Sequence, residues 1–174
     1  PLSTVALVGL FEEADIPRFL FLNKIDKADK RVRETIALLQ PASRVPLLLR
    51  QIPIWNGDII SGFVDLALER AFVYKEHAPS EIVELKDDNV DRKKEARFKM
   101  LETLADHDDQ LMEQLLEDIE PPRDKVFDDL AKELRERIVC PVLLGAATRS
   151  NGVLRLLKAL RHESPSRVRP RLPR

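Results

Sequence analysis

Residues Phe19-Leu20-Phe21-Leu22 are four consecutive apolar side chains, and Asn23-Lys24-Ile25-Asp26 follow with no spacer. A run this short cannot cross a membrane, and it does not alternate with polar residues as a half-exposed strand would. Coming after Pro17, it predicts a strand buried on both faces, the kind found in the middle of a parallel sheet. Open α/β sheets hold ligands at the carboxyl ends of such strands, where this chain sets an amide, a lysine and a carboxylate. A second apolar run, Ile138-Val139-Cys140-Pro141-Val142-Leu143-Leu144, opens into Gly145-Ala146-Ala147. Small side chains there let the backbone approach a ligand closely.

The pattern Asn-Lys-x-Asp has a specific chemistry. A carboxylate at Asp26 can accept two hydrogen bonds, from the ring N1–H and the exocyclic amine of guanine, and adenine offers no such donor pair. The stem of Lys24 can lie along the face of the base, and Asn23 has the donor and acceptor groups to tie neighbouring loops together. Three fixed residues would recur by chance in about one chain of this length in fifty. In GTP-binding folds the strand after this motif ends in a small-residue loop whose backbone N–H reaches guanine O6, a role that suits Ala146 and Ala147.

Four segments in order, Ile16–Asp26, Val45-Pro46-Leu47-Leu48-Leu49, Ile59–Leu66 with its Gly62-Phe63-Val64-Asp65-Leu66, and Pro141–Ala147, make the chain resemble bacterial elongation factor G over nearly its whole length. The resemblance implies an α/β fold: part of a P-loop GTPase (G) domain without its amino-terminal half, carrying an inserted α+β subdomain called G-prime. It further implies GTP or GDP as ligand, with Mg2+ only in the full-length protein. The ribosome is the implied partner, through ribosomal RNA and the stalk protein. Ala146 stands where the family has serine, and Asn151-Gly152-Val153 stands near the expected entry of the last helix. These departures point to a divergent elongation factor G-like protein.

Glycine positions decide what is absent. A phosphate-binding loop needs two glycines five apart followed by lysine, and of Gly9, Gly57, Gly62, Gly145 and Gly152 only Gly57 and Gly62 have that spacing, followed by Phe63 and Val64. No Asp-x-x-Gly precedes Asn23. The chain therefore reads as the second half of a GTPase domain, with no hydrolysis expected of it alone.

About 118 residues separate Asp26 from Gly145, far more than a single crossover needs. Residues 1–44 read as G domain, 45–136 as the insert, 137–162 as the last strand and helix of the G domain, and 163–174 as a linker. Residues 2–14 predict a helix, and Asp29 to Gln40 a short amphipathic one stopped by Pro41. Val45–Ile54, Phe63–Leu68, Ala71–Tyr74 and Glu81–Leu85 predict strands, with a turn at Asn56-Gly57-Asp58. From Asp91 to Asp118, apolar residues from Phe98 to Ile119 recur at helical intervals and predict one long helix, or two broken near Asp106-His107-Asp108-Asp109. Pro121-Pro122 ends them, and Asp124 is placed to cap another helix.

With 44% hydrophobic residues and a net charge of -1, the chain suits one core and a smaller satellite. It has no apolar stretch long enough for a membrane span and no signal-peptide pattern, so a cytoplasmic protein is expected, with neither membrane nor DNA as partner. Cys140 reads as a buried small hydrophobe. His77, His107 and His162 are scattered over different elements, and no catalytic or metal-binding set is expected. The near-neutral total hides an uneven distribution: Trp55 to Glu136 holds 23 acidic against 12 basic residues, and the remainder 7 against 17. A basic flank suits RNA phosphates, and an acidic insert suits a basic protein surface. A ribosomal-protection GTPase and a non-enzymatic interaction domain remain open beside elongation factor G.

Overall fold

The computed structural model describes residues 10–11, 13–27, 31–75, 78–84 and 87–164. Most of the helix expected over residues 2–14 lies outside these residues, as do His77, Leu85 at the end of the fourth predicted strand, and the chain from 165 onward. The architecture is mixed α/β, with two sheets. Strands β1 (Leu20–Leu22), β7 (Cys140–Leu144) and β2 (Leu47–Leu49) form a parallel sheet in that order. Strands β3 (Gln51–Asn56), β4 (Ile59–Asp65), β5 (Arg70–Lys75) and β6 (Ala78–Val83) form an antiparallel meander. Strand β7 is central and buried at every position, as its unbroken apolar run requires. Among the described residues the α-helices are α1 (Val32–Leu39), α2 (Asp87–Ala105), α3 (Asp109–Leu116), α4 (Arg123–Arg135) and α5 (Val153–Glu163), with three short 3₁₀ turns beside them.

The run expected as one strand over Val45–Ile54 is two, and they belong to different sheets. Arg50 makes the change: its N–H donates to Val142 O in the parallel sheet (3.1 Å), while its carbonyl accepts from Leu66 N in the antiparallel one (3.0 Å). Apolar pattern alone cannot show a strand changing partners. In hydrogen-bonding terms the two sheets therefore part at Arg50. The turn at Gly57-Asp58 is a two-residue hairpin connection with Gly57 at φ +61°, a conformation that glycine adopts without steric cost.

Helix α1 ends at Leu39, just ahead of Pro41 as expected. The chain passes into a 3₁₀ turn, Gln40–Ala42, with the proline at its start, where a missing N–H costs nothing. The break expected near Asp106–Asp109 is present: Asp108 caps α3 by accepting from Leu111 N at 2.9 Å. Asp124 does not cap α4; Pro122 holds that position and Asp124 lies inside the first turn. The main core fills the space between the antiparallel sheet and α2 to α4, where Leu66, Leu104, Leu111, Val126 and Leu130 are fully buried. Phe98 and Ile119, expected on the core face, are about half exposed. Phe98 falls at the edge of the buried stripe of α2, and the chain has left α3 before it reaches Ile119.

A buried ionic clasp joins the sheets to α5. Arg50, fully buried, pairs with Glu163 at 2.5 Å, and Arg155 pairs with Asp65 at 2.5 Å. Both guanidinium groups also lie over the Phe127 ring, 5.6 and 5.9 Å from its centroid. Asp65 also accepts from the N–H groups of Ala67 (3.1 Å) and Leu68 (2.9 Å), fixing the turn after β4.

Candidate functional site

Parallel pairing of Leu20 with Val142 and of Leu22 with Leu144 brings the ends of β1 and β7 out side by side. Their loops are then laced together. Gly145 N donates to Leu22 O at 3.0 Å, and Ile25 N to Gly145 O at 3.1 Å. A Cβ on Gly145 would collide with the carbonyl of Asn151 and the ring of Phe21, so only glycine permits this approach. Asn23 Oδ1 accepts from Lys24 N at 2.8 Å and from Ala147 N at 2.9 Å, tying one loop to the other. Lys24 is held at φ +59°, unusual for a residue with a Cβ, and its side chain is exposed.

Asp26 lies in the 3₁₀ turn Ile25–Lys27, whose Ile25 is sunk in a small cluster with Val32, Ile60, Leu144 and Ala146. That anchorage leaves the Asp26 side chain only 10% exposed. Its Oδ1 is buried with no hydrogen-bond partner, and its Oδ2 is 3.3 Å from Nε of Arg149. Tyr74 of β5 packs against the same cluster, and its hydroxyl is likewise buried without a partner. Burial, and then the nearby Asp26 charge, push the Tyr74 phenol well above its ordinary range.

Ala146 is fully buried and exchanges both backbone hydrogen bonds with Asn151 (3.0 and 3.1 Å), a bridge that steadies the loop without a serine hydroxyl. The bridge leads into Gly152, at φ +75°, and then α5. Both alanine amides expected at a base thus have protein acceptors here: Asn151 O for Ala146 and Asn23 Oδ1 for the exposed Ala147. Asn23, Lys24, Asp26, Ala146 and Ala147 all lie at this one edge. Arg149 and Tyr74 went unread in the sequence. Arg149, two residues past Ala147, could have been weighed as a neighbour. Tyr74 is brought in by another sheet and carried no local signal. Among the described residues no three His, Cys, Asp or Glu side chains converge to hold a metal ion.

A parallel sheet that ends in an Asn-Lys-x-Asp turn laced to a Gly-Ala-Ala loop, with an antiparallel sheet and helices between its strands, makes this a mixed α/β chain. No family model matches the chain. It is 36% identical over 164 residues to an elongation factor G-like protein of Synechocystis sp., covering 94% of this chain and 24% of that one. It is 33% identical over 153 residues to elongation factor G 1 of Borreliella burgdorferi, covering 87% of this chain and 22% of the relative. A solved chain from Thermus thermophilus shares the fold, with a TM-score of 0.75 at 24% identity over 88% of this chain and 23% of its own. The chain is a homologue of elongation factor G and elongation factor G-like proteins, and spans about a quarter of the length of the curated relatives it matches.

Proposed function

We propose that this chain is the base-reading portion of a GTP-binding, GTP-hydrolysing translation factor that works on the ribosome in the cytoplasm. One observation carries the reading: a carboxylate almost wholly out of solvent, at the meeting of two strand ends, keeps one oxygen without any donor. Buried acceptors are nearly always satisfied, and one left open where α/β sheets bind ligands is set for a donor from outside. Guanine supplies two donors, N1–H and the exocyclic amine. Asp26 reads them, the exposed stem of Lys24 lies along the base, and Asn23 holds the two loops in register. The loop backbone at Ala146 and Ala147 lies beside O6, with the exposed Ala147 N–H shared between Asn23 Oδ1 and the base. The 174 residues contain no phosphate-binding loop, so groups outside them would hold the phosphates and Mg2+.

Residues 1–44 and 137–162 act in this reading as G domain and 45–136 as the insert. The acidic helices from Asp91 to Glu136 face a basic protein surface, the ribosomal stalk, and the basic remainder lies toward ribosomal RNA. Asp26→Asn tests the assignment in the longer protein that carries this chain. The amide offers a donor where xanthine carries a carbonyl, so preference should move from GTP toward XTP by about tenfold or more, as each 1.4 kcal/mol of exchanged pairing is a factor of ten. Competition binding with both nucleotides reads it out. An unchanged preference for GTP, or no guanine binding by the parent at all, removes Asp26 from the role.

A further inference from the structure

We propose that Arg149 is a placeholder in the base site: its guanidinium occupies Asp26 when no base is present, and an incoming base must displace it. This rests on the reading of Asp26 as the base-reading carboxylate. Arg149 Nε is 3.3 Å from Asp26 Oδ2, and the two side chains differ greatly in freedom, the arginine being 68% exposed and the aspartate 10%. The backbone of Arg149 is fixed. It closes the 3₁₀ turn Ala147–Arg149, its N–H donates to Ala146 O at 3.0 Å, and the first amide of the turn is held by Asn23. The side chain can therefore swing into water while the loop that carries it stays in place.

The chemistry of the two occupants is the same. The edge of guanine that a carboxylate reads is N1–H, C2 and the C2 amine, which is a guanidine fragment. Arginine presents the same adjacent, coplanar N–H donors. A carboxylate placed to take one will take the other. With no base and no arginine, Asp26 would be a largely desolvated anion with neither oxygen paired, a costly arrangement. Guanine replaces the lost donors in kind, and the released arginine is rehydrated at little cost because most of it already lies in water. Hypoxanthine keeps N1–H but lacks the C2 amine, so it restores only part of what it displaces. Adenine restores none. Arg149 therefore lowers the affinity of every base by the same factor, because the empty site it stabilises is common to them all, and the margin between bases stays the one that Asp26 gives.

The experiment uses the longer protein that carries this chain, as wild type, Arg149→Met, Asp26→Asn and the double variant, with GDP and IDP as probes in stopped-flow and equilibrium binding. Arg149→Met should bind GDP about two- to fivefold more tightly, mainly through faster association, since exposed ion pairs are worth about that much. IDP should gain by the same factor, leaving the GDP-to-IDP ratio unchanged, because the arginine competes only in the empty site. Both effects should vanish in the Asp26→Asn background, because the interaction being removed needs both partners. Weaker or unchanged GDP binding by Arg149→Met would overturn the proposal, as would a gain that persists without Asp26. Asp26→Asn that leaves the guanine-over-xanthine preference intact would instead bring down the base-reading assignment, and this proposal with it.

Discussion

Asp26 and Asp65 each sit at or just past the end of a strand and each faces an arginine, yet one is spent and the other is not. Asp65 is fully buried and every bond it makes is internal: two backbone N–H groups on Oδ1 and Arg155 on Oδ2. Asp26 is nearly as hidden but has one oxygen unpartnered and the other beside a mostly exposed arginine. Burial raises the cost of leaving a carboxylate unpaired, so the fold satisfies such groups wherever it has donors to spare. The saturated aspartate holds the structure together. The unsaturated one is available to a ligand, and only the count of partners separates the two.

Breaking the saturated partner should give the largest effect. Asp65→Ala removes three acceptor bonds and leaves the mostly buried Arg155 with only Glu163, at 4.0 Å, as counter-charge, and we expect a loss of about 3–5 kcal/mol in urea unfolding of the 174-residue chain. A loss below about 1 kcal/mol would mean that the clasp is not what joins α5 to the sheets.

A third carboxylate sharpens the contrast. Glu133 on α4 is buried with Oε2 unpartnered, and burial, then the neighbouring Asp129 charge, push its pKa from 4.5 to about 8. Between those values the native state keeps a proton that the unfolded chain has released. Stability from this group is thus full below about pH 4.5 and is lost as pH rises toward 8. Glu133→Gln should remove that slope and raise stability by about 1–3 kcal/mol at pH 9, the range for relieving a buried unpaired polar group. A thermal-denaturation series across this window would show it, and an unchanged slope would place the titration elsewhere.

The smallest change in stability belongs to the site. Asp26→Asn should alter unfolding by less than about 1 kcal/mol, since it breaks one ion pair whose arginine is mostly in water, while moving the purine preference far more. A destabilisation as large as that of Asp65→Ala would class Asp26 with the structural carboxylates.

The legibility of these parts in the sequence follows how local each one is. Asn23, Lys24 and Asp26 fall within four residues after an apolar strand, and Gly145-Ala146-Ala147 after another, so both ends of the site could be read from short stretches. Parallel pairing of their two strands could be expected from the apolar runs. The insert could be inferred from length, and its helix break from Asp108. What could not be read were contacts made across distance in the chain. Asp65 meets Arg155 ninety residues away, Arg50 meets Glu163, and Tyr74 reaches the Asp26 cluster from another sheet. Such pairings are set by packing of whole elements, and neither partner has a local signature. The split of Val45–Ile54 escaped for a related reason: Leu47–Leu49 and Gln51–Ile54 both read as strand, and only tertiary pairing distinguishes them.

Arg50 has a consequence for how the protein opens. Its amide belongs to one sheet, its carbonyl to the other, and its side chain to α5. Gln51, next to it, accepts from Leu144 N at 2.7 Å, one residue before the base-site loop. Neither sheet can fray at this point without exposing an amide of the other. In hydrogen exchange, the amides of Arg50, Leu66 and Leu144 should therefore be released together in one cooperative event, while Lys24 and Ala147 exchange by small local fluctuations far more often. The rigid seam and the looser rim of the candidate site would then lie within a few residues of each other at the end of β7, so that a ligand at the rim could come and go without loosening the sheets beneath it.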